Sequence, residues 1–112
     1  MDDIRLIYVT AASRDQAIEL ARTLVGERLV ACANILPEIT SIYWWDGAVQ
    51  QEPEVALIAK TRADLVEAVT ARVGELHSYS CPCVVAMPVV GGNPAFLDWI
   101  KAETVIDVKT AR

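Results

Sequence analysis

The chain has 112 residues, of which 54% are hydrophobic, and its 10 basic and 15 acidic side chains give a net charge of −5. This length is typical of a single domain, and the apolar content excludes an intrinsically disordered chain. The acidic balance excludes the basic surface with which proteins bind nucleic acid. We therefore expect one domain over residues 1–112 that has no nucleic-acid partner.

The sequence carries no sign of export or membrane insertion. It begins Met1-Asp2-Asp3, where a secretory signal would need positive charge. The apolar run Val84–Val90 is too short to cross a bilayer and contains Pro88. The three cysteines are an odd number, which forms a poor disulfide framework and fits a reducing compartment. We therefore expect a cytoplasmic protein with no membrane partner.

The first elements are predicted to be a buried strand and an amphipathic helix. Ile4–Thr10 is almost entirely apolar and rich in β-branched and aromatic residues, which is typical of a central strand. Ser13 and Gln16 have the spacing of a capping box, which predicts a helix that begins at Ser13. Apolar residues recur at helical spacing from there to the region of Gly26, where the helix should end.

A long β-hairpin is predicted next. Ala31–Trp45 has the pattern of an extended segment that is bent at Pro37. Asp46-Gly47 favours a type I′ turn, because both central residues of that turn need positive φ. The return strand should run from about Val49 to Thr61. Its first half is polar and its second half apolar, which predicts an exposed tip and a buried base.

The last third is predicted to hold a second helix, a strand and a short third helix. Thr61 is expected to cap the second helix. Val84–Val90 should form the strand, and Asn93-Pro94 is typical of the start of a helix, here one running through Ile100. An additional edge strand is expected at Thr104–Val108.

The order β-α-β-β-α-β predicts a ferredoxin-like α+β fold. The two crossover helices should cover one face of an antiparallel sheet, and a short C-terminal helix should follow. The opposite face would then expose apolar residues in a monomer. We expect three copies to pack together through it as a homotrimer.

Several short blocks of this sequence match a known family when they are taken together. They are Ala31-Cys32-Ala33-Asn34-Ile35-Leu36-Pro37, Ser41-Ile42-Tyr43-Trp44-Trp45-Asp46-Gly47, Glu54-Val55, Lys60-Thr61, Met87-Pro88-Val89, Gly92-Asn93-Pro94 and Leu97-Asp98-Trp99-Ile100. In combination and spacing they resemble the CutA divalent-cation tolerance family over almost the whole chain. The resemblance implies a trimer similar to signalling proteins of the PII type, a cytoplasmic location, and an association with copper and other divalent cations. We infer no organic cofactor from the sequence.

One segment departs from that resemblance. Where the family usually has His-Pro-Tyr-Glu, a variable residue and Pro-Glu, this chain has His77-Ser78-Tyr79-Ser80-Cys81-Pro82-Cys83. The loss of both glutamates removes hard oxygen ligands, and Cys83 supplies a soft one. Thiolate and imidazole prefer Cu(I) or Zn(II) to Mg(II) or Ca(II). We therefore predict that any specific metal site uses His77, Cys81 and Cys83.

Each of these residues also has a structural interpretation. His77 is expected at the end of a helix, where histidine often hydrogen-bonds backbone carbonyls. Cys81 and Cys83 could be small buried hydrophobic residues, and Cys32 on its predicted buried strand is expected to be one.

A second candidate site is a cleft between subunits lined by Trp45, Lys60 and Tyr79. Large aromatic side chains commonly anchor interfaces. Lys60 ends an apolar strand, where it could bind an anion or simply be solvated. A cleft of this kind would suit a small-molecule or signalling sensor, by analogy with trimers of the PII type.

The functions that remain are binding functions. The sequence has no Gly-rich phosphate loop, no His-Glu-x-x-His and no Gly-x-Ser-x-Gly, and a Cys81–His77 nucleophile pair would need a third orienting group. We therefore predict that the protein is not an enzyme. The first prediction is a divalent-cation tolerance protein that binds copper or another divalent metal ion in metal homeostasis, and the alternative is the PII-like sensor.

Overall fold

The computed structural model describes residues 3–104 of the chain. In chain order these residues form β1 (Ile4–Ala11), α1 (Arg14–Gly26), β2 (Cys32–Trp45), β3 (Ala48–Arg62), a single 3₁₀ turn (Ala63–Leu65), α2 (Val66–Leu76), β4 (Val84–Pro88) and α3 (Pro94–Ala102). This order confirms the predicted β-α-β-β-α-β arrangement with a short helix after it. The edge strand expected at Thr104–Val108 lies, apart from Thr104, outside the described residues.

The four strands form one antiparallel sheet in the order β2-β3-β1-β4. β1 pairs with β3 on one side and with β4 on the other, so it is an interior strand of the sheet, as its apolar sequence predicted. The fold is therefore the predicted mixed α+β class. None of the described helices is long and apolar enough to cross a membrane.

The helices α1 and α2 pack on one face of the sheet. Side chains alternate between the two faces of a strand, so every second residue of β1 and β3 points toward the helices. The core formed in this way includes Ile7, Val9, Ala11, Val55, Leu57 and Ala59 from the strands and Ala17, Leu20, Leu24, Val69 and Val73 from the helices. Burial of each large apolar side chain contributes roughly 1.5–3 kcal/mol, so this one-sided core holds the layers together.

α1 begins where the capping pattern predicted. The Oγ of Ser13 accepts the backbone N–H of Gln16 at 3.1 Å. The side chain of Gln16 accepts the backbone N–H of Ala12 at 3.1 Å, one residue earlier than in a regular capping box. Both bonds satisfy backbone donors at the entry to the helix, and α1 ends at Gly26 as expected.

The prediction that Thr61 caps the second helix is wrong. Thr61 lies inside β3, because β3 continues far enough for Arg62 to pair with Ile4. Its side chain is fully buried, and its Oγ1 donates to the carbonyl of Leu29 at 2.6 Å. The 3₁₀ turn and α2 that follow have no side-chain cap. A buried hydroxyl must find a partner, and the chain after α1 supplies it.

β2 and β3 form a hairpin that extends beyond the rest of the sheet. Asp46 and Gly47 have φ of 55° and 77°, as the predicted type I′ turn requires. The pairing has an irregularity between Leu36 and Ile39, next to the predicted bend at Pro37. β1 ends opposite Val55, so the outer part of the hairpin has no third strand in the described sheet.

The C-terminal elements differ from the prediction mainly in length. β4 ends at Pro88 rather than Val90. The Oδ1 of Asn93 accepts the N–H of Ala95 at 3.1 Å, which confirms the predicted cap, and α3 continues to Ala102. Residues of α3 pack against Ile4 at one end of the sheet.

Candidate metal and ligand sites

The face of the sheet opposite α1 and α2 carries apolar side chains, and we call it the open face. The strand register places Tyr8 beside Ile58 and Val85, and Leu6 beside Lys60 and Met87. Val85 is 50% exposed and Met87 is 43% exposed. α3 and Val89 pack against Ile4 at one end of this face. The exposed fractions of Val85 and Met87 show that the β4 side of the open face is available to a partner.

His77 follows α2 and uses both of its ring nitrogens inside the chain. Its Nε2 lies 2.7 Å from the carbonyl oxygen of Thr10, and because a carbonyl only accepts, Nε2 carries the proton. Its Nδ1 accepts the backbone N–H of Tyr79 at 3.0 Å. The residue is 8% exposed. Neither nitrogen keeps a lone pair for a metal ion.

Tyr79 ties the same segment to the hairpin. Its hydroxyl donates to one oxygen of Glu54 at 2.7 Å, and the hydroxyl of Ser41 donates to the other at 2.6 Å. Burial, together with the Glu54 carboxylate, raises the pKa of Tyr79 to about 12. The phenol is therefore a neutral donor at physiological pH. Its ring also lies 4.6 Å from the ring of His77.

Cys81 and Cys83 are exposed free thiols between α2 and β4. The interpretation of these two residues as buried hydrophobic residues is therefore wrong, because the segment runs over the end of the sheet instead of through the core. Cys32, expected in the core, is half-buried and lies on the open face, where it pairs with Lys60.

The predicted ligand trio is not assembled in one chain. Within the described residues no group of three or more His, Cys, Asp or Glu side chains is placed to hold a metal ion. A metal ion at His77 would have to break the bond to Thr10 or to Tyr79. The two thiols are the members of the trio that remain accessible.

The predicted cleft residues are far apart along a single hairpin. Lys60 lies near the base, where its Nζ donates to the Oδ1 of Asn34 at 2.6 Å. Tyr79 contacts Glu54, which lies six residues from Lys60 in the direction of the hairpin turn. Trp45 lies at the tip of the hairpin. At about 3.3 Å per residue, successive members are separated by roughly 20 Å. One chain therefore does not bring these three residues together.

A groove beside the start of α1 was not anticipated from the sequence. It has a volume of about 410 Å³ and lies between Ser13-Arg14 and the irregular part of the hairpin at Pro37-Glu38. Pro37 signalled the bend in β2. The bend faces the start of α1 because of how these two distant elements pack. Local sequence patterns do not predict such packing.

Taken together, the geometry defines a small ferredoxin-like α+β domain with one open apolar face and a protruding hairpin. Residues 5–103 match the family described as CutA1 divalent ion tolerance protein. The chain belongs to this family, as the sequence resemblance implied.

Known relatives show the same likeness in sequence and in structure. The chain is 43% identical over 99 residues to "Protein CutA 1, chloroplastic" of Oryza sativa, covering 88% of this chain and 56% of that protein. A crystal structure of CutA1 from Oryza sativa has a TM-score of 0.90 at 42% identity, covering 92% of this chain and 94% of that one. A structure described as the periplasmic divalent cation tolerance protein CutA from Archaeoglobus fulgidus has a TM-score of 0.87 at 39% identity, covering 89% and 97%. This chain spans about half the length of its plant and mouse relatives.

Proposed function

We propose that the protein is a homotrimeric divalent-cation tolerance protein that binds copper or another divalent metal ion in metal homeostasis. Membership of the divalent ion tolerance family supports the connection with metal ions. The observation that supports the homotrimer is the exposed apolar surface. At the hairpin tip Ile42, Trp44, Trp45 and Val49 are each between 62% and 70% exposed, and the open face adds Val85 and Met87. Monomers rarely leave such a surface in water.

The sheet edges support a ring of copies. In the described sheet β2 and β4 are edge strands, and the hairpin beyond Val55 lacks a third strand. Unpaired edges favour pairing with another chain. Contact between two different edges is head-to-tail, and such contacts close into a ring when the rotation permits. A ring of three copies would bring the three open faces together.

A second candidate, the PII-like sensor, is favoured by the position of Lys60. Its register with Leu6 places it on the open face. If neighbouring copies covered that face, its charge would leave water and need a counter-charge. An anionic ligand between subunits could supply it, with Trp45 and Tyr79 contributed by neighbouring hairpins.

A thermal-shift screen separates the two candidates. Divalent metal ions and copper are compared with nucleotides as representative anionic ligands. A ligand that binds only the folded protein adds about 2.7 kcal/mol of stability at 100 times its Kd. Stabilisation by a metal ion supports the first function, and stabilisation by nucleotides alone supports the second. If no metal ion stabilises the protein, the metal-binding proposal is contradicted.

We propose no catalytic role and a cytoplasmic location. Cys81 would need a nearby base to act as a nucleophile, and His77 has both nitrogens in hydrogen bonds. Turnover of an ester that is lost in Cys81→Ala would contradict the first point. Relatives are named as chloroplastic and periplasmic. Fractionation of the source cells that placed the protein outside the cytoplasm would contradict the second.

A further inference from the structure

We infer that Cys81 and Cys83 form a two-thiolate site for Cu(I) that does not include His77. This inference deepens the proposed role in metal homeostasis and rests on it. The family is described by divalent ions, yet the described residues of this chain hold no three-ligand cluster for one. The donors that the segment between α2 and β4 does present are two soft sulfur atoms. The softness of these two donors identifies the kind of ion.

The donor set selects Cu(I) over the common divalent ions. Calcium and magnesium take six or more oxygen ligands, and zinc takes four ligands in a tetrahedron. Two thiolates from one chain satisfy neither requirement. Soft thiolates favour Cu(I), an ion that accepts two-coordinate geometry.

The two exposed cysteines are close neighbours, because only Pro82 stands between them. Pro82 has a fixed φ, which limits the conformations that the short segment between the two thiols can adopt. Their Cα atoms are at most about 7 Å apart, which lets both sulfur atoms approach one ion.

Hydrogen bonds hold both ends of the segment that carries Cys81 and Cys83. Before it, His77 bonds Thr10 and Tyr79 bonds Glu54. After it, Val84 pairs with Val9 at the start of β4. Since few residues lie between these anchors, binding of an ion orders little additional chain, and a site that is already ordered binds more tightly. His77 is therefore a positioning residue for the segment rather than a metal ligand.

The binding step is a ligand exchange without electron transfer. Each thiol releases its proton to water, each sulfur forms one bond to copper, and the copper remains Cu(I). The product carries one net negative charge. The segment from Ser78 to Cys83 has no acidic side chain to repel it.

A competition titration tests this site. The full-length protein is titrated with Cu(I) in the absence of oxygen against bicinchoninate, as wild type, Cys81→Ser, Cys83→Ser and Cys32→Ser. We expect one Cu(I) per chain. Loss of either proposed ligand should weaken binding by more than the roughly 100-fold that loss of an outer-shell partner costs. Cys32→Ser is the matched control and should bind like wild type.

X-ray absorption of the loaded protein supplies the second readout. We expect copper bonded to sulfur with no imidazole scattering. Imidazole scattering, unchanged binding in both Cys81→Ser and Cys83→Ser, or lost binding in Cys32→Ser would each overturn the assignment. If wild type fails to bind Cu(I) but a divalent ion stabilises it in the thermal-shift screen, this site is refuted and the proposed function survives. If no ion binds in either experiment, both are refuted.

Discussion

At the scale of single residues, hydrogen bonds between residues far apart in the sequence fix the position of segments that local sequence patterns do not place. In the described part of the chain every buried side-chain nitrogen or oxygen has a hydrogen-bond partner. Thr61 binds the carbonyl of Leu29, and His77 binds that of Thr10. A buried polar group that loses its partner costs about 1–3 kcal/mol. These contacts therefore fix where the segments after α1 and α2 lie.

Replacing the buried hydroxyl of Thr61 should destabilise the protein. Thr61→Val keeps the shape but leaves the Leu29 carbonyl without its donor, at a cost of about 1–3 kcal/mol. Thr70→Val is the control, because the hydroxyl of Thr70 bonds the Val66 carbonyl on an exposed helix surface, where changes usually stay within about 0.5 kcal/mol. Urea unfolding measures both. Equal losses of stability in the two variants would contradict this account.

The raised pKa of Tyr79 predicts a stability difference that depends on pH. The pKa in the folded protein is about 12 against the ordinary 10.0, so the folded state favours the protonated phenol. That preference contributes stability below pH 10 and is lost as the pH rises toward about 12. Wild type should therefore exceed Tyr79→Phe in stability at pH 7 to 9, and the difference should shrink above pH 10. A constant difference in unfolding free energy up to pH 12 would argue against the Tyr79–Glu54 bond.

At the scale of elements, the sequence predicts those features of helices and strands that depend only on adjacent residues. The cap at Ser13, the turn at Asp46-Gly47 and the cap at Asn93 were all predicted, because each depends on a few adjacent residues. Thr61 was assigned wrongly as a helix cap because its hydroxyl bonds the distant carbonyl of Leu29, which no local pattern reports. The accessibility of Cys81 and Cys83 was likewise open, since it depends on the path of a segment with no regular structure.

The hairpin turn offers a test at this scale. Gly47 has φ of 77°, where an L-residue with a Cβ costs roughly 1–2 kcal/mol. Gly47→Ala should therefore destabilise the hairpin by about that amount. Gly26→Ala is the control, because no atom beyond its chain neighbours and its own helix backbone lies within 4 Å of the added methyl group, and alanine favours the helix. Thermal unfolding should show a loss for the first variant and no loss for the second. The reverse order would contradict the assigned turn.

At the scale of the whole molecule, α1 and α2 cover one face of the sheet, and the proposed trimer would cover the other. The sequence predicted this asymmetry from the order of the elements. It did not predict that Trp45 and Lys60 lie at opposite ends of one hairpin with Tyr79 contacting Glu54 between them, because these positions follow from strand register and from a distant hydrogen bond. A cleft formed from them requires neighbouring copies.

A charge on the open face should break the assembly. Val85 is 50% exposed there, and Val85→Glu would bury a carboxylate between copies, which a packed apolar interface does not tolerate. Val25→Glu is the matched control, since Val25 is 38% exposed on α1, in the opposite layer. Size-exclusion chromatography should show smaller particles for the first variant and no change for the second. If Val25→Glu dissociates the protein and Val85→Glu does not, the interface lies elsewhere.

The molar mass of the wild-type protein in solution decides whether it forms the proposed homotrimer. Multi-angle light scattering at micromolar concentration should give three times the 12.2 kDa mass of the chain, because the proposed trimer buries the open face and the hairpin between three copies. A mass of 12.2 kDa at that concentration would contradict the account, since the open face would then remain in water.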